Sequence, residues 1–167
     1  DIPTDKEWWQ GGYSLENHLL TVVKNQSPVQ FEWLCSRLVS HFYAERVTDR
    51  IRGDVRRVLY RLGDQVILQN DFVYTNPKGT IVARTAGGRD ITQICDEELS
   101  LAVSLVAESF IGGTRDEVIK EVSRALGYNR TGKRIQERLA KIIKTLIVKN
   151  RLIEQDGKIS RDVGADR

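Results

Sequence analysis

The feature of this 167-residue sequence that most restricts its fold is an order of elements that occurs twice. The helical spacing of apolar residues predicts three helices in each copy, at about 14–25, 29–43 and 48–62 and again at about 96–111, 115–126 and 132–149. A short β-type stretch follows each third helix, VILQNDFVYT in the first copy and RLIEQDGKI in the second. We therefore expect a duplicated unit of about 60 residues.

The third helices of the two copies match position by position. A shift of 84 residues carries one apolar set onto the other, Ile51, Val55, Val58, Leu59 and Leu62 onto Ile135, Leu139, Ile142, Ile143 and Leu146. The pairs Asn70-Asp71 and Asp156-Gly157 are typical of tight hairpin turns. Three helices followed by a hairpin is the winged-helix form of helix-turn-helix. The predicted fold class is α+β, mostly α with small β-hairpins, as a tandem winged helix-turn-helix.

The domain boundaries that we predict follow this order. They are an N-terminal arm at 1–13, winged-helix unit 1 at 14–76, a connector at 77–95, winged-helix unit 2 at 96–160 and a C-terminal tail at 161–167. The connector contains two turns, NPKGT and AGGRD, around IVART as a possible strand. In unit 2, Thr114 and Glu117 have the spacing of a capping box.

Charge is distributed unevenly along the sequence. The net charge is +3 at pH 7, but residues 48–62 carry a local charge of +3 and residues 128–151 carry +7. The rest of the chain must therefore carry −7, so two basic segments lie on an acidic remainder. This asymmetry indicates a polyanionic partner, and we expect duplex DNA bound through its phosphate backbone.

The segment GYNRTGKR, which begins at Gly127, comes close to the phosphate loop of nucleotide-binding enzymes. That loop needs a strand before it and a Ser or Thr after the lysine, whereas here a helical pattern precedes and Arg134 follows. We expect instead that Gly127 ends one helix and that Thr131 or Gly132 opens the next. Lys133 and Arg134 then lie in a first turn, where cations oppose the helix dipole unless a phosphate shares the site.

Helical geometry, at 100° per residue, points most basic residues of the third helices away from the core. The candidate nucleic-acid-binding residues are Arg50, Arg52, Arg56, Arg57, Arg61, Arg130, Lys133, Arg134, Lys141, Lys144 and Arg151. Arginine suits base or shape readout by the first unit, and lysine suits phosphate contacts by the second. Two other interpretations stay open: faces that are simply solvated, and winged-helix units that dock onto proteins or dimerise.

Trp33 is the candidate partner-binding residue. It falls opposite the apolar stripe of the second helix, so we expect it to face out of its own unit. Packing against the N-terminal Trp8-Trp9 arm or the second unit is one use of that position, and anchoring a partner or stacking on a base is the other.

The sequence contains no recognisable catalytic or metal-binding pattern. Cys35 and Cys95 lack a second ligand at zinc spacing, so both are expected to be buried free thiols. His18 and His41 have no nucleophile or acid at partner spacing. We therefore predict a non-enzymatic module without cofactor, metal, membrane or small-molecule substrate. The cysteine usage fits a reducing cytoplasm, and the absence of methionine suggests a piece of a longer protein.

Most of the chain, about residues 14–155, resembles the C-terminal accessory region of large bacterial superfamily 1 helicase-like proteins, a domain of unknown function. The resemblance is carried by LGYNRTGKRI, by the helix start DEELSLAV and by the hairpin that ends in DFVY. It implies a DNA-processing context, with the parent helicase or nuclease domains in the same polypeptide as partners. No ATPase or nuclease residue is implied, because the catalytic domains of that family have no counterpart in this sequence.

Overall fold

The structure is a computed structural model and describes residues 15–41 and 46–161. The chain forms two compact units with the boundary between Thr80 and Ile81. Across the described residues there are six α-helices and two small antiparallel sheets, which confirms the predicted α+β class. None of these helices is both long and apolar enough to cross a membrane. The Trp8-Trp9 arm lies outside the described residues.

Unit 1 places three helices against a three-stranded sheet. Its elements are α1 (Leu15–Gln26), β1 (Val29–Gln30), α2 (Phe31–His41), α3 (Asp49–Leu62), β2 (Val66–Gln69) and β3 (Phe72–Thr75). The strands lie in the order β1-β3-β2, all antiparallel. The core is formed by the inner faces of the helices together with Val29, Val66 and Val73 of the strands.

Unit 2 has the same element order and the same strand order. Its elements are α4 (Asp96–Ser109), β4 (Gly113–Thr114), α5 (Arg115–Ala125), α6 (Lys133–Val148), β5 (Leu152–Gln155) and β6 (Lys158–Arg161). The strands lie in the order β4-β6-β5, again antiparallel. The predicted repetition of element order is therefore confirmed.

The shift of 84 residues holds for the buried positions of all three helices. Leu15, Leu19 and Val23 become Leu99, Val103 and Ala107; Leu34, Cys35 and Leu38 become Val118, Ile119 and Val122; and Val55, Val58, Leu59 and Leu62 become Leu139, Ile142, Ile143 and Leu146. All of these residues are buried. The strands β1 and β4 also correspond at the shift of 84, whereas the hairpin strands correspond at a slightly larger shift, because α6 has 16 residues and α3 has 14.

Each sheet has one strand more than the predicted hairpin. We expected the second helix to begin at Val29, but Val29 and Gln30 form β1 and pair with β3. The equivalent strand in unit 2, β4, pairs with β6 in the same way. Both strands are only two residues long, too short to show the alternating pattern by which a strand is recognised in sequence.

Both hairpin turns are confirmed. The two residues between β2 and β3, Asn70 and Asp71, have φ of 50° and 66°, and those between β5 and β6, Asp156 and Gly157, have φ of 51° and 73°. Positive φ at both central residues is the conformation of the type I′ turn, whose twist matches that of the flanking strands. The turn residues alone therefore set the register of both hairpins.

The segment predicted as a connector contains no strand over Ile81–Thr85, and the structure assigns it to unit 2. Ile91 and Ile94 are buried in the core of that unit. The Ala86 N–H donates to the carbonyl of Leu126 at 2.7 Å, which ties the segment to the end of α5. IVART has strand-type composition, but it pairs with no strand among the described residues, and its Arg84 is bonded to the Glu98 side chain of α4.

The turn between α5 and α6 is the one predicted for GYNRTGKR. Gly127 has φ of 87°, and its N–H donates to the carbonyl of Arg124 at 2.9 Å. The Tyr128 N–H donates to the carbonyl of Ser123 at 3.0 Å, which completes a Schellman motif at the end of α5. A helix and not a strand precedes the glycine, which removes the structural context of a phosphate loop.

Candidate nucleic-acid interface

The first basic surface is the outer side of α3. We call the α3 face the set Arg50, Gly53, Arg56, Arg57, Tyr60 and Arg61. All of these residues are exposed except Gly53, which is partly exposed. Thr48 caps the helix, since its hydroxyl accepts the N–H of Ile51 at 3.3 Å. The inner side of α3 is buried in the core, so the helix can turn only this face outward.

Arg52, a predicted DNA-binding residue, is bound to carboxylates of its own unit. Its guanidinium donates to both oxygens of Glu32 in α2, at 2.7 and 3.1 Å, and to Asp49 at 2.8 Å. Hydrogen bonds to these two acids raise its pKa above the ordinary value. This bidentate pair links α2 to α3 and leaves the guanidinium little capacity for an external phosphate.

The other arginines of the α3 face are held in place but stay accessible. The guanidinium of Arg56 lies over the ring of Phe31 at 4.6 Å, a cation–π contact. Arg57 pairs with Asp54 at 3.2 Å and Arg61 pairs with Glu16 at 3.1 Å. The Arg61–Glu16 pair is exposed and so is worth only about 0–1 kcal/mol, whereas the Asp54 carboxylate that pairs with Arg57 is itself buried.

The second basic surface is the outer side of α6. We call the α6 face the set Lys133, Arg134, Glu137, Lys141 and Lys144, all exposed as predicted. Lys133 lies 3.8 Å from Glu137, and Arg134 pairs with Asp90 at 3.2 Å. No ion pair or side-chain hydrogen bond joins Lys141 or Lys144 to any side chain that the structure describes. These two ammonium groups are therefore available to an external anion.

The beginning of α6 differs from that of α3. Gly132 occupies the N-cap position without a side-chain cap, and the first turn contains Lys133 and Arg134 with no acidic residue. The predicted conflict with the helix dipole is thus present. Asp90 relieves part of it from within the unit, because its carboxylate reaches Arg134. Hydrogen bonds from Thr92, assisted by Arg134, hold the pKa of Asp90 below its ordinary value.

The remaining predicted cations lie at the edges of the α6 helix. Arg130 is exposed in the turn before α6, and Arg151 is exposed in the turn between α6 and β5. Neither has an ion pair to another described residue. Lys149 and Lys158, on the hairpin side of the helix, are also exposed. They extend the positive charge of unit 2 beyond the α6 face.

The strongest electrostatic feature of unit 2 was not predicted. The carboxylate of Glu98, in the first turn of α4, is fully buried. It accepts hydrogen bonds from Arg84 at 2.7 and 3.1 Å and from Arg89 at 2.9 and 3.0 Å. Burial by itself raises the pKa of Glu98, but the bonds from the two arginines outweigh it and hold the pKa below the ordinary value. We call these three residues the Glu98 cluster.

The Glu98 cluster serves the fold and not the basic surfaces. Arg89 has a side chain only 9% exposed and also donates to the carbonyls of Thr85 and Ala86. The Tyr128 hydroxyl donates to the Arg89 carbonyl at 3.0 Å, and burial raises the pKa of Tyr128 to about 12. The cluster therefore fastens the segment before α4 to the turn before α6, which is the turn that positions Lys133 and Arg134.

Trp33 does not face away from its unit as predicted. Its side chain is partly buried and packs against the core of unit 1, and the guanidinium of Arg37 lies 6.0 Å from the ring. The helical position of Trp33 lies opposite the apolar stripe of α2, but the indole is large enough to reach core residues of unit 1 from there. Its role in binding a partner stays a prediction.

The prediction for the two cysteines is confirmed. Cys35 and Cys95 are free and buried, and burial raises the pKa of the first thiol to about 12 and that of the second to about 11. The sulfur of Cys95 accepts the N–H of Glu98 at 3.4 Å and so caps α4. Within 15–41 and 46–161 there is no group of three or more residues that could hold a metal ion.

Comparisons with known protein families, with curated proteins and with solved structures gave no significant match to this chain. The resemblance to the helicase-associated region therefore stays a prediction. The two basic faces and the fold that presents them are the basis for assigning a function.

Proposed function

We propose that this chain is a non-catalytic DNA-binding module built as a tandem winged helix-turn-helix. The observation that carries the proposal is the α6 face, where Lys141 and Lys144 are exposed and have no partner among the described residues. Cations that are not needed within the fold favour an anionic partner, and DNA is the polyanion that helices of this kind bind.

The arrangement of the elements supports the DNA-binding interpretation. In each unit a helix, a turn and a second helix are followed by a two-stranded hairpin. In winged-helix proteins the later helix enters the major groove and the hairpin contacts the backbone. Here the later helices are α3 and α6, and each is buried on one side and basic on the other.

The structure changes which residues we propose as DNA contacts relative to the prediction from sequence. Arg52 is removed from it, because Glu32 and Asp49 occupy its donors. Arg56, Arg57 and Arg61 stay in it, since the side chain of each is exposed. Arg130, Lys149 and Arg151 supply additional phosphate contacts from the turns of unit 2.

The partner proteins follow from the resemblance alone. We propose that helicase or nuclease domains of a longer polypeptide act on the DNA that this module holds. The docking or dimerisation alternative is weakened because Trp33, its main anchor, packs against the core of its own unit. It stays as the interpretation that a failure to bind DNA would favour.

The test is fluorescence anisotropy with labelled duplex and single-stranded DNA over a salt series. Wild type is compared with Lys141→Ala/Lys144→Ala and with a matched control, Lys24→Ala/Lys120→Ala, which removes two exposed lysines from α1 and α5. We expect tight binding at low salt by wild type. The α6 variant should lower the slope of log K against log salt by roughly 0.9 for each phosphate that is no longer neutralised.

The control separates the α6 face from overall charge. It removes the same number of charges, so an equal loss of affinity in both variants would show only a non-specific charge effect. Failure of wild type to bind either form of DNA at low salt would overturn the proposal.

A further inference from the structure

Gly53 lies in the middle of α3 although the fold does not require a glycine there. A Cβ built on Gly53 would meet no described atom within 4 Å, and its φ is not positive. Gly63 and Gly127, in contrast, have φ of 49° and 87° at helix ends, where glycine is the favoured residue. A glycine inside a helix costs about 1 kcal/mol relative to alanine. Nothing in the conformation or packing of the described part of unit 1 compensates for this cost.

The surroundings of Gly53 are the basic residues of the α3 face. Arg50, Arg56 and Arg57 lie three or four positions away along the helix and so border it on the surface. Tyr60, one further turn along, is 87% exposed. Asp49, four positions before Gly53, is also exposed, and its carboxylate accepts a hydrogen bond from Arg52 at 2.8 Å. The helix backbone is therefore bare at one point, bordered by three guanidinium groups, one carboxylate and one exposed aromatic ring.

The equivalent position in unit 2 has the opposite character. The shift of 84 residues carries Gly53 to Glu137, whose side chain is 66% exposed at the centre of the α6 face. A carboxylate there repels phosphate and keeps a duplex at a distance from the helix backbone. The two faces thus differ at their centres: one has no side chain and the other has a negative one.

We propose that Gly53 is the point of closest approach between this protein and duplex DNA. The absence of a side chain lets the backbone of α3 reach the floor of the major groove, while Arg50, Arg56 and Arg57 contact the groove edges and the flanking phosphates. Unit 1 reads the duplex in this way, and unit 2 holds it through phosphate contacts alone. This inference rests on the proposed function and adds the point of closest contact, which gives a structural basis to the division of roles expected from the sequence.

Charge selects nucleic acid over a protein as the occupant of the α3 face. Three guanidinium groups against one carboxylate, that of Asp49, leave a net positive border around Gly53, which favours a polyanion as the occupant. Arginine can donate two hydrogen bonds at once to guanine or to phosphate, so the residues around Gly53 suit both the bases and the backbone of a duplex.

The experiment places one side chain at the two equivalent positions. Gly53→Gln and Glu137→Gln are each made in the full chain, together with Gly53→Ala, and binding to a labelled mixed-sequence duplex is measured by anisotropy. We expect Gly53→Gln to weaken binding by about tenfold or more, because the side chain separates the helix from the groove. Glu137→Gln should tighten binding, since it removes a carboxylate from the α6 face.

The variant Gly53→Ala separates an effect on DNA binding from an effect on folding. Alanine has the higher helix propensity and open space to occupy, so the midpoint of thermal unfolding should rise while affinity for the duplex falls. A purely structural role for Gly53 would move stability and affinity in the same direction.

The outcomes distinguish this inference from the proposed function. If Gly53→Gln binds as tightly as wild type while Lys141→Ala/Lys144→Ala binds more weakly, Gly53 is not a contact point and the DNA-binding proposal stands. If wild type does not bind the duplex, both are overturned. Weaker binding by Gly53→Gln together with tighter binding by Glu137→Gln is the result that supports the division of roles.

Discussion

At the scale of single residues, Glu98 is a buried carboxylate on which the fold of unit 2 depends through two arginines. Its buried carboxylate is compensated by two guanidinium groups and by the N–H of Arg84, which donates at 3.2 Å. Such a buried pair is not a large net gain over an apolar core, but removing one partner leaves the other charge buried and unpaired. The consequence is a strong dependence of the fold on each member of the cluster.

We expect Glu98→Gln to lower the free energy of unfolding by about 3–5 kcal/mol at neutral pH, because Arg89 would be left buried without a counter-charge. Chemical denaturation followed by circular dichroism measures this loss. The control is Asp116→Asn, an exposed carboxylate in the first turn of α5, for which the helix-dipole contribution of about 0.3–1 kcal/mol is at stake. Equal losses in the two variants would show that burial of the pair is irrelevant.

The difference in unfolding free energy between wild type and Glu98→Gln should change with pH in a definite direction. The folded pKa of Glu98 lies below its ordinary value of 4.5, so its stabilising contribution is present above about pH 4.5 and is lost as pH falls through the folded pKa. The gap between wild type and Glu98→Gln should therefore be largest at neutral pH and narrow below that value. A gap that stayed constant down to strongly acidic pH would contradict the assignment.

At the scale of elements, the start of α5 is decided by local side chains. Thr114 and Glu117 form the predicted capping box on α5: the Thr114 hydroxyl accepts the Glu117 N–H at 3.4 Å, and the Thr114 N–H donates back to the Glu117 carboxylate at 2.8 Å. That box starts the helix preceding the α5–α6 turn. Hydrogen bonds from Thr114 hold the pKa of Glu117 below its ordinary value.

Thr114→Ala removes the hydroxyl that accepts the Glu117 N–H and donates to the Glu117 carboxylate, and it keeps the bond from the Thr114 N–H; it should cost about 1 kcal/mol of unfolding free energy. The matched control is Thr145→Ala, an exposed threonine inside α6 whose hydroxyl bonds only to the Lys141 carbonyl. Alanine has the higher helix propensity, so this change should be neutral or slightly stabilising. The measurement is the midpoint of thermal unfolding of the two variants relative to wild type. Shifts of the same sign in both variants would refute the role of Thr114 as a cap.

At the scale of the whole molecule, the extent of unit 2 is the main finding. The boundary expected at residue 96 lies instead between Thr80 and Ile81, because the segment before α4 contributes Ile91 and Ile94 to the core and two arginines to Glu98. Unit 2 is therefore a helical unit with an irregular segment built into it, and that segment is as necessary as the helices.

We expect a fragment of residues 81–161 to unfold in one cooperative transition, whereas a fragment of residues 96–161 should not fold cooperatively. The shorter fragment exposes the apolar surface covered by Ile91 and Ile94 and leaves Glu98 buried without its arginines. Circular dichroism and amide exchange on the two fragments provide the measurement. Cooperative folding of the shorter one would show that the segment is an attachment and not part of the unit.

The sequence alone was sufficient for the helices, the hairpin turns, the capping box of α5 and the repeated order, because each depends on residues close together in the chain. Each of these features involves residues that are near neighbours in the sequence: the helical spacing of apolar residues, the Asn70-Asp71 turn and the helix end at Gly127. A sequence pattern is therefore enough to predict them. The buried cysteines were also predictable, since their neighbours are apolar.

Tertiary structure decided everything that joins distant residues. Glu98 meets Arg84 from 14 positions away and Arg52 meets Glu32 from 20, and neither pairing leaves a periodic trace in the sequence. The same holds for the two-residue strands β1 and β4, whose partners lie beyond two helices. The folded chain therefore decides which arginines form ion pairs within a unit and which cations stay exposed without such a pair. The reason is that ion pairing depends on where the acidic residues lie in the fold.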